Sequence, residues 1–257
     1  MLDFEIDRNV KLLSWFDTPL GRKTLLEEGI HLSDPIRRFH GDTLLWSGPN
    51  AEMADLTRHC MVRSRVFAEF VGRSCPNGMA GIRTQLGALP IANASVEGVV
   101  LHHALDFAED PRHVFREAVR ILAPGGRLLV CGFNPYSLWG LRRIYAGLID
   151  DAFTDATFVA GHRLNDWLAV LGFEREGDTR YIMHRPPLLP GPYDGPRWQK
   201  IRAHVSKWPL GGVYIVQATK SALSTKPLDR IKEKAVRQSP LYQQRISTKS
   251  SIEIQRP

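Results

Sequence analysis

The stretch SVEGVVLHHALDFAEDPRHVFREAVRILAPGGRLLV, residues 95–130, carries the clearest structural pattern in the chain. It begins with a predicted strand at 96–101, in which Val99, Val100 and Leu101 form a continuous apolar run. Such a run is typical of a parallel strand covered on both faces. Asp110 and Pro111 are a strong start signal for a helix, because aspartate caps the first turn and proline fits its first position. The segment APGG, residues 123–126, predicts a turn, and RLLV begins the next strand. The stretch therefore predicts a strand, a capped helix and a second parallel strand.

Neighbouring segments continue this alternation of strands and helices. Further strands are predicted at 43–47 and 63–67, within AGIRTQLGALP at 80–90 and within GGVYIVQATK at 211–220. Further helices are predicted at 50–59, 136–148 and 162–172. In the last strand, alternation places Val213 and Ile215 on one face and Tyr214 and Val216 on the other. Strands that alternate with helices favour a parallel sheet with right-handed crossovers. The predicted fold class is α/β, with about seven mostly parallel strands and helices on both faces.

Composition is ordinary for a globular protein, with 43% hydrophobic and 24% charged residues among 257. No apolar run approaches the ~18 residues that would span a bilayer, and the N-terminus lacks the pattern of a signal peptide. Cys60, Cys75 and Cys131 are scattered along the chain without a paired spacing. This usage indicates reduced thiols in a cytoplasmic protein, and it predicts neither a disulfide nor a metal site.

The net charge of +7 is unevenly placed along the chain. Residues 221–257 contain eight Lys/Arg and three acidic residues, which account for five of these positive charges. The segment is rich in Ser, Gln and Lys and poor in aromatic residues, so it is predicted to be a disordered basic tail. Such a tail is either solubilising or a contact for RNA or an anionic membrane. The predicted organisation is a helical lead-in at 1–40, a domain at 41–220 and this tail.

The segment LGALPIANASVEGVVLHHALDFAEDPRHVFREAVRILAPGGRLLV, residues 86–130, resembles the central region of class I S-adenosylmethionine-dependent methyltransferases. In that family an LPF-type block leads into the fourth strand, and D-P-x-x-x-x-x-E-x-x-R-x-L-x-P-G-G leads into the fifth. The chain is most similar to the type 11 methyltransferases, and GFNPYSLWGL, residues 132–141, resembles a bacterial branch of the family. The resemblance implies a Rossmann-like methyltransferase fold, S-adenosylmethionine as cofactor and an unidentified methyl acceptor.

The family's glycine-rich loop follows its first strand with the pattern acidic-x-Gly-x-Gly-x-Gly, and it falls on LLWSGPN, residues 44–50. Gly48 is retained, but the acid and the companion glycines are absent. Trp46, Ser47 and Gly48 are the implied cofactor contacts of this loop. The departure leaves two functions open: a methyltransferase that compensates through other contacts, or a methyltransferase-like binding protein that has lost catalysis and acts through its tail or a partner.

The resemblance implies further contacts beyond the other strands. Glu69 lies near the end of strand two, where the family carries an acid that binds the ribose hydroxyls. Gln85, followed by Leu86, falls on the acid that contacts the adenine amino group, and its amide oxygen can still accept that hydrogen bond. His102 and His103 follow strand four, beside the methionine part of the cofactor and the acceptor. Because strand alternation places them on opposite faces, His102 is the candidate catalytic base, with strand-end packing as its alternative role.

The cofactor cleft is predicted between the turn at 47–50 and the loop at 84–89, because both follow parallel strands at the same sheet edge. Asn134 and Pro135 are predicted to cap and open the helix at 136–148. A nicotinamide dehydrogenase is disfavoured, since no G-x-G-x-x-G follows any predicted strand.

Overall fold

The computed structural model describes residues 14–48, 50–69, 75–106, 108–137, 140, 153, 156–182 and 211–221. By internal contacts the chain divides into two units, Met1–Ser221 and Ala222–Pro257. The basic tail and most of the helix predicted at 136–148 lie outside the described residues, so contact of the tail with RNA or an anionic membrane stays a prediction. No helix within the described ranges is long and apolar enough to cross a membrane.

The described residues alternate between helices and strands, as the sequence predicts. The helices are α1 (Pro19–Arg37), α2 (Ala51–Ala54), a 3-10 helix (Asp55–His59), α3 (Pro111–Ile121) and α4 (Gly161–Val170). The strands are β1 (His40–Ser47), β2 (Met61–Glu69), β3 (Ala80–Arg83), β4 (Val96–His102), β5 (Leu122–Phe133), β6 (Phe173–Arg175), β7 (Arg180–Ile182) and β8 (Val213–Lys220). Together they form an open α/β sheet, which confirms the predicted fold class.

The sheet has the strand order β3-β2-β1-β4-β5-β8-β6, and β7 also pairs with β8. The strands β1 to β5 pair in parallel, whereas β8 runs antiparallel to its three neighbours. The chain moves outward from β1 to β3 and then returns to β4 on the other side of β1. The carboxyl ends of β1 and β4 therefore border a topological switch point, where open α/β sheets bind their ligands.

The helix α3 begins at Pro111 with Asp110 as its N-cap, as the sequence predicts. The carboxylate of Asp110 accepts hydrogen bonds from the backbone N–H groups of Arg112 at 2.9 Å and His113 at 3.1 Å. Pro111 occupies the first turn, where its missing N–H leaves no intrahelical bond unmade. Local sequence chemistry alone is sufficient to place this helix end.

The APGG segment at 123–126 differs from its prediction as a turn, because it belongs to β5. The register between β4 and β5 shifts between the pairs Val96–Leu122 and Gly98–Arg127, so the segment bulges out of the ladder. The bulge absorbs extra residues on one strand while pairing continues on both sides. The helix α3 nevertheless ends at Ile121, as the glycine pair predicts.

The sheet carries a buried apolar core on each of its two faces. On one face, called here the α3 face, strand residues pack with α3 and α4. On the other, called the α1 face, they pack with α1 and α2. Alternate residues of β4 divide between these cores, with Val99 and Leu101 on the α3 face and Val100 on the α1 face. The predicted division of β8 between the two faces is confirmed in the same way.

Candidate active site at the carboxyl edge of the sheet

The parallel strands bring several predicted site residues to one edge of the sheet. β1 ends at Ser47, β2 at Glu69 and β4 at His102, while β3 ends at Arg83, just before Gln85. Since β1 pairs with both β2 and β4, Ser47 and His102 lie on the two strands that border the switch point. Glu69 is at the strand end that the resemblance implies, and its role stays a prediction.

Gly48 lies in close contact with the end of β4. A Cβ atom at this position would lie 2.5 Å from the carbonyl oxygen of His102 and 3.0 Å from its Cβ. Only glycine permits this approach, so its retention has a packing cause that is independent of any cofactor. After the turn, the side chain of Asn50 accepts a hydrogen bond from the N–H of Met53 at 3.0 Å and caps α2, as predicted.

Several buried polar atoms near the switch point have no hydrogen-bond partner within the described part of the chain. They include Trp46 Nε1, Ser47 Oγ and His102 Nδ1. The rings of Trp46 and His102 lie 5.5 Å apart between centroids, and Ser47 follows Trp46 as the last residue of β1. Buried polar groups are nearly always paired in folded proteins. The edge therefore offers hydrogen-bonding capacity that a polar ligand or ordered water would satisfy.

The loop after β3 is attached to α3 through Leu89. Its N–H donates to Glu117 at 2.9 Å, and its carbonyl oxygen accepts from Arg120 at 3.0 Å. Gln85 is exposed in this loop, whereas Leu86 is buried in the core of the α3 face. The structure thus leaves the side chain of Gln85 accessible and gives Leu86 a packing role, while a cleft between the turn at 47–50 and the loop at 84–89 stays a prediction.

A group of buried ionisable side chains lies beside the switch point on the α1 face. This buried ionic cluster consists of Glu28, His102, His103, Asp106 and Cys131, all at most 1% exposed. The Glu28 carboxylate accepts from Nε2 of His102 at 2.8 Å and from Nε2 of His103 at 3.1 Å. His103 donates through Nδ1 to Asp106 at 2.8 Å. One carboxylate from α1 therefore binds both histidines at the end of β4.

The prediction that His102 and His103 face opposite sides of the sheet is wrong. His103 lies one residue beyond β4 and has a φ of +54°, in the left-handed region. This turn directs its ring to the same Glu28 carboxylate that binds His102, and the two ring centroids are 4.7 Å apart. Alternation holds only within extended backbone, which ends at His102. Asp106 helps to fix the turn, because it also accepts from the N–H of Phe133 at 2.9 Å.

Burial and pairing together set the charges in the cluster. Burial alone raises the pKa of Glu28, but the charge of His103 and hydrogen bonds from both histidines hold this pKa below its ordinary value of 4.5. Burial alone lowers the pKa of His103, yet Glu28 and Asp106 raise it well above 6.5. Burial lowers the pKa of His102 and raises the pKa of Asp106 and of the Cys131 thiol, the last to about 12. The cluster therefore holds a Glu28–His103 ion pair beside a neutral His102 and a protonated thiol.

Glu28 is the functional candidate that the sequence interpretation missed. It lies between Leu25 and Leu32 at the helical spacing that also includes Ile36, and all four side chains are buried. A carboxylate within an apolar helical stripe is the signal that could have found it, because such a group must be paired when buried. Its hydrogen-bond partners are 74 and 75 residues away in the chain, so the local sequence pattern cannot identify them.

Comparison with known proteins agrees with this architecture. Residues 50–130 match the family described as "Methyltransferase domain", and this segment runs from just after Gly48 into β5. Residues 50–130 therefore carry the sequence pattern of a methyltransferase domain. This confirms the resemblance, while Trp46, Ser47, Gly48, Glu69, Gln85, Leu86 and His102 stay predictions as functional contacts.

The curated proteins to which the chain is similar include proteins of known and unknown activity. The uncharacterized protein YafS of Escherichia coli is 30% identical over 148 residues, which are 57% of this chain and 58% of YafS. Malonyl-[acyl-carrier protein] O-methyltransferase of Hahella chejuensis is 39% identical over 61 residues, 24% of this chain and 22% of that protein. The chain thus covers less than two thirds of the length of these curated relatives.

The fold is similar to that of solved methyltransferases. The crystal structure of a SAM-dependent methyltransferase from Archaeoglobus fulgidus superposes with a TM-score of 0.55 at 14% identity. The match covers 77% of this chain and 94% of that chain. At this identity the likeness supports the shared fold and leaves the substrate of the present protein open.

Proposed function

We propose that the protein transfers a methyl group from S-adenosylmethionine to an acceptor bound at the carboxyl edge of the sheet. The observation that carries the proposal is the set of unpaired buried polar atoms near the switch point, on Trp46, Ser47 and His102. Open α/β sheets bind ligands in this crevice. Residues 50–130 match a methyltransferase domain, and the family resemblance implies S-adenosylmethionine as the methyl donor.

The residues at this edge fit the polar groups of the cofactor. The indole N–H of Trp46 is a donor, and the Ser47 hydroxyl is both a donor and an acceptor. Glu69 would accept from the ribose hydroxyls, and Gln85 would accept from the adenine amino group. These contacts replace in part the acid and the glycines that the first loop lacks.

Bound S-adenosylmethionine supplies a methyl group on a positively charged sulfur. It would donate this methyl group to the electron pair of the acceptor, and its sulfur would leave as a neutral thioether. Protein groups contribute by holding the two reactants in line and by excluding water. The full burial of Trp46 and Ser47 suits water exclusion. This chemistry has no general requirement for a base, so the catalytic role of His102 stays a prediction.

Titration of the full-length chain with S-adenosylmethionine and S-adenosylhomocysteine tests the proposal directly. Micromolar binding of either compound supports it, as does either compound found by mass spectrometry in the purified protein. If neither compound binds at millimolar concentration, the proposal is rejected in favour of a methyltransferase-like binding protein that has lost catalysis.

A variant of Gln85 tests the placement of the cofactor. Gln85→Ala is expected to weaken binding by about 1 kcal/mol, roughly fivefold, because one exposed amide hydrogen bond is lost. His40→Ala, at the amino end of β1, is the matched control and is expected to leave the affinity unchanged. Equal affinities of the two variants would remove Gln85 from the site.

A further inference from the structure

Four side chains of the buried ionic cluster are of the types that bind transition metals. One ligand atom from each of Glu28, His102, His103 and Cys131 can be chosen so that all four lie within 4.8 Å of one another. One carboxylate, two imidazoles and one thiol form a mixed oxygen, nitrogen and sulfur donor set. Such a set suits Zn²⁺, which takes four ligands at about 2.0–2.3 Å.

The hydrogen bond between His103 and Asp106 prepares one imidazole for coordination. Nδ1 of His103 donates to Asp106 at 2.8 Å, so Nε2 is the ring atom directed at Glu28. Metal-binding histidines commonly donate their other N–H to a carboxylate in this way. Asp106 is itself held by the N–H of Phe133, which fixes the imidazole through two successive hydrogen bonds.

The position of Cys131 favours a metal site over a purely hydrogen-bonded network. A thiol is a weak donor and a weak acceptor, so it contributes little to an ion pair between a carboxylate and an imidazolium. A thiolate, in contrast, is a strong ligand of zinc. Cys131 is buried within this cluster rather than in a solely apolar part of the core.

A divalent ion at this site would be charge-matched by its ligands. The Glu28 carboxylate and a Cys131 thiolate together balance the two positive charges of the ion, and the two imidazoles coordinate as neutral ligands. This balance matters because an uncompensated charge is costly at full burial.

We infer that Glu28, His102, His103 and Cys131 form a structural binding site for a zinc-type divalent cation. All four side chains are at most 1% exposed, and four protein ligands complete a tetrahedral shell. The ion joins α1 to the ends of β4 and β5, next to the switch point. His102 is then a metal ligand through Nε2 rather than a base. The inference does not depend on methyl transfer, because a closed site contributes to folding whatever the ligand of the crevice is.

The metal content of the full-length chain tests this site. The protein is purified, and a portion is unfolded and refolded with either Zn²⁺ or a chelator. We expect about one zinc per chain by mass spectrometry of the elements, and a lower melting temperature after refolding in chelator. Cys131→Ser should lose the zinc, whereas the matched variant Cys60→Ser should retain it. Asp106→Asn should weaken zinc binding by about 10–100-fold through its effect on His103.

Refolding with Co²⁺ identifies the ligands even if a cluster variant fails to fold. The wild-type protein and Cys60→Ser should both show a thiolate-to-cobalt charge-transfer band and the visible bands of tetrahedral cobalt. Absence of zinc after both purification and refolding with Zn²⁺ would overturn the inference, as would cobalt spectra without a thiolate band. Zinc retained equally by Cys131→Ser and the wild type would also overturn it. The S-adenosylmethionine titration is independent of these outcomes.

Discussion

The two faces of the sheet bury different chemistry at the same end of the same strand. On β4, Leu101 joins the apolar core of the α3 face, whereas the next residue, His102, joins the buried ionic cluster on the α1 face. Apolar packing is additive and tolerant of small changes, but a buried charge depends on each of its partners. At this end of the sheet, the stability of the α3 face therefore comes from apolar packing, whereas the stability of the α1 face depends on pairing between buried charged groups.

Removal of Glu28 should have the largest effect on stability. Glu28→Ala removes the carboxylate that binds the buried side chains of His102 and His103, and we expect the free energy of unfolding to fall by about 3–5 kcal/mol. Urea unfolding of the variant and the wild type measures this difference.

The matched control for Glu28 lies on the same helix. Asp34 forms an ion pair with Arg38 at 3.0 Å, and both side chains are at least 49% exposed. Asp34→Ala should cost less than about 1 kcal/mol. Equal effects of the two variants would contradict the dependence of the α1 face on buried charge.

On the α3 face, Leu101→Ala should reduce the free energy of unfolding by about 2–5 kcal/mol through lost burial and a residual cavity. Because no charge is involved, the reduction should be the same at neutral and mildly acidic pH. Leu26, which is 71% exposed, provides the control, since its replacement by alanine removes little buried area. A pH-dependent effect of Leu101→Ala would show that the two faces are coupled.

The cap of α3 should contribute less than either core. Asp110→Ala removes the acceptor for the N–H groups of Arg112 and His113, and we expect a cost of about 1 kcal/mol. Asp110→Asn keeps a capping oxygen and should remain close to the wild type in thermal unfolding. If both variants lose the same stability, the charge rather than the cap is responsible.

The smallest expected effect concerns the loop that carries Gln85. A hydrogen bond from Arg120 lowers the pKa of Glu117 below its ordinary value of 4.5. The ionised Glu117 carboxylate therefore stabilises the folded protein above pH 4.5, and this stabilisation is lost as the pH falls through the lowered pKa. Glu117→Gln should cost about 0.5 kcal/mol at neutral pH, because the side chain is charge-paired near the surface. In urea unfolding this difference should shrink in acid; a constant difference would exclude the charge as its cause.

Features set by neighbouring residues could be predicted from the sequence. The cap of α3, the faces of β8 and the placement of Trp46, Ser47, Gly48 and His102 near one sheet edge all follow from local periodicity and strand direction. The side chain of His103 could not be placed, because its positive φ begins where strand alternation ends. The bulge at 123–126 could not be predicted either, because a glycine pair is equally compatible with a turn and with a bulge.

The sequence by itself determined the α/β class and the resemblance of residues 86–130 to methyltransferases, because caps, hydrophobic periods and motif spacing are local properties of the chain. Only the tertiary structure decided that Glu28 contacts His102, 74 residues away, and that Cys131 lies beside them. The separated positions of these ligands resemble no metal motif in the sequence. They meet because α1 packs across the sheet at the carboxyl ends of β4 and β5, and burial then requires each charge to find a partner.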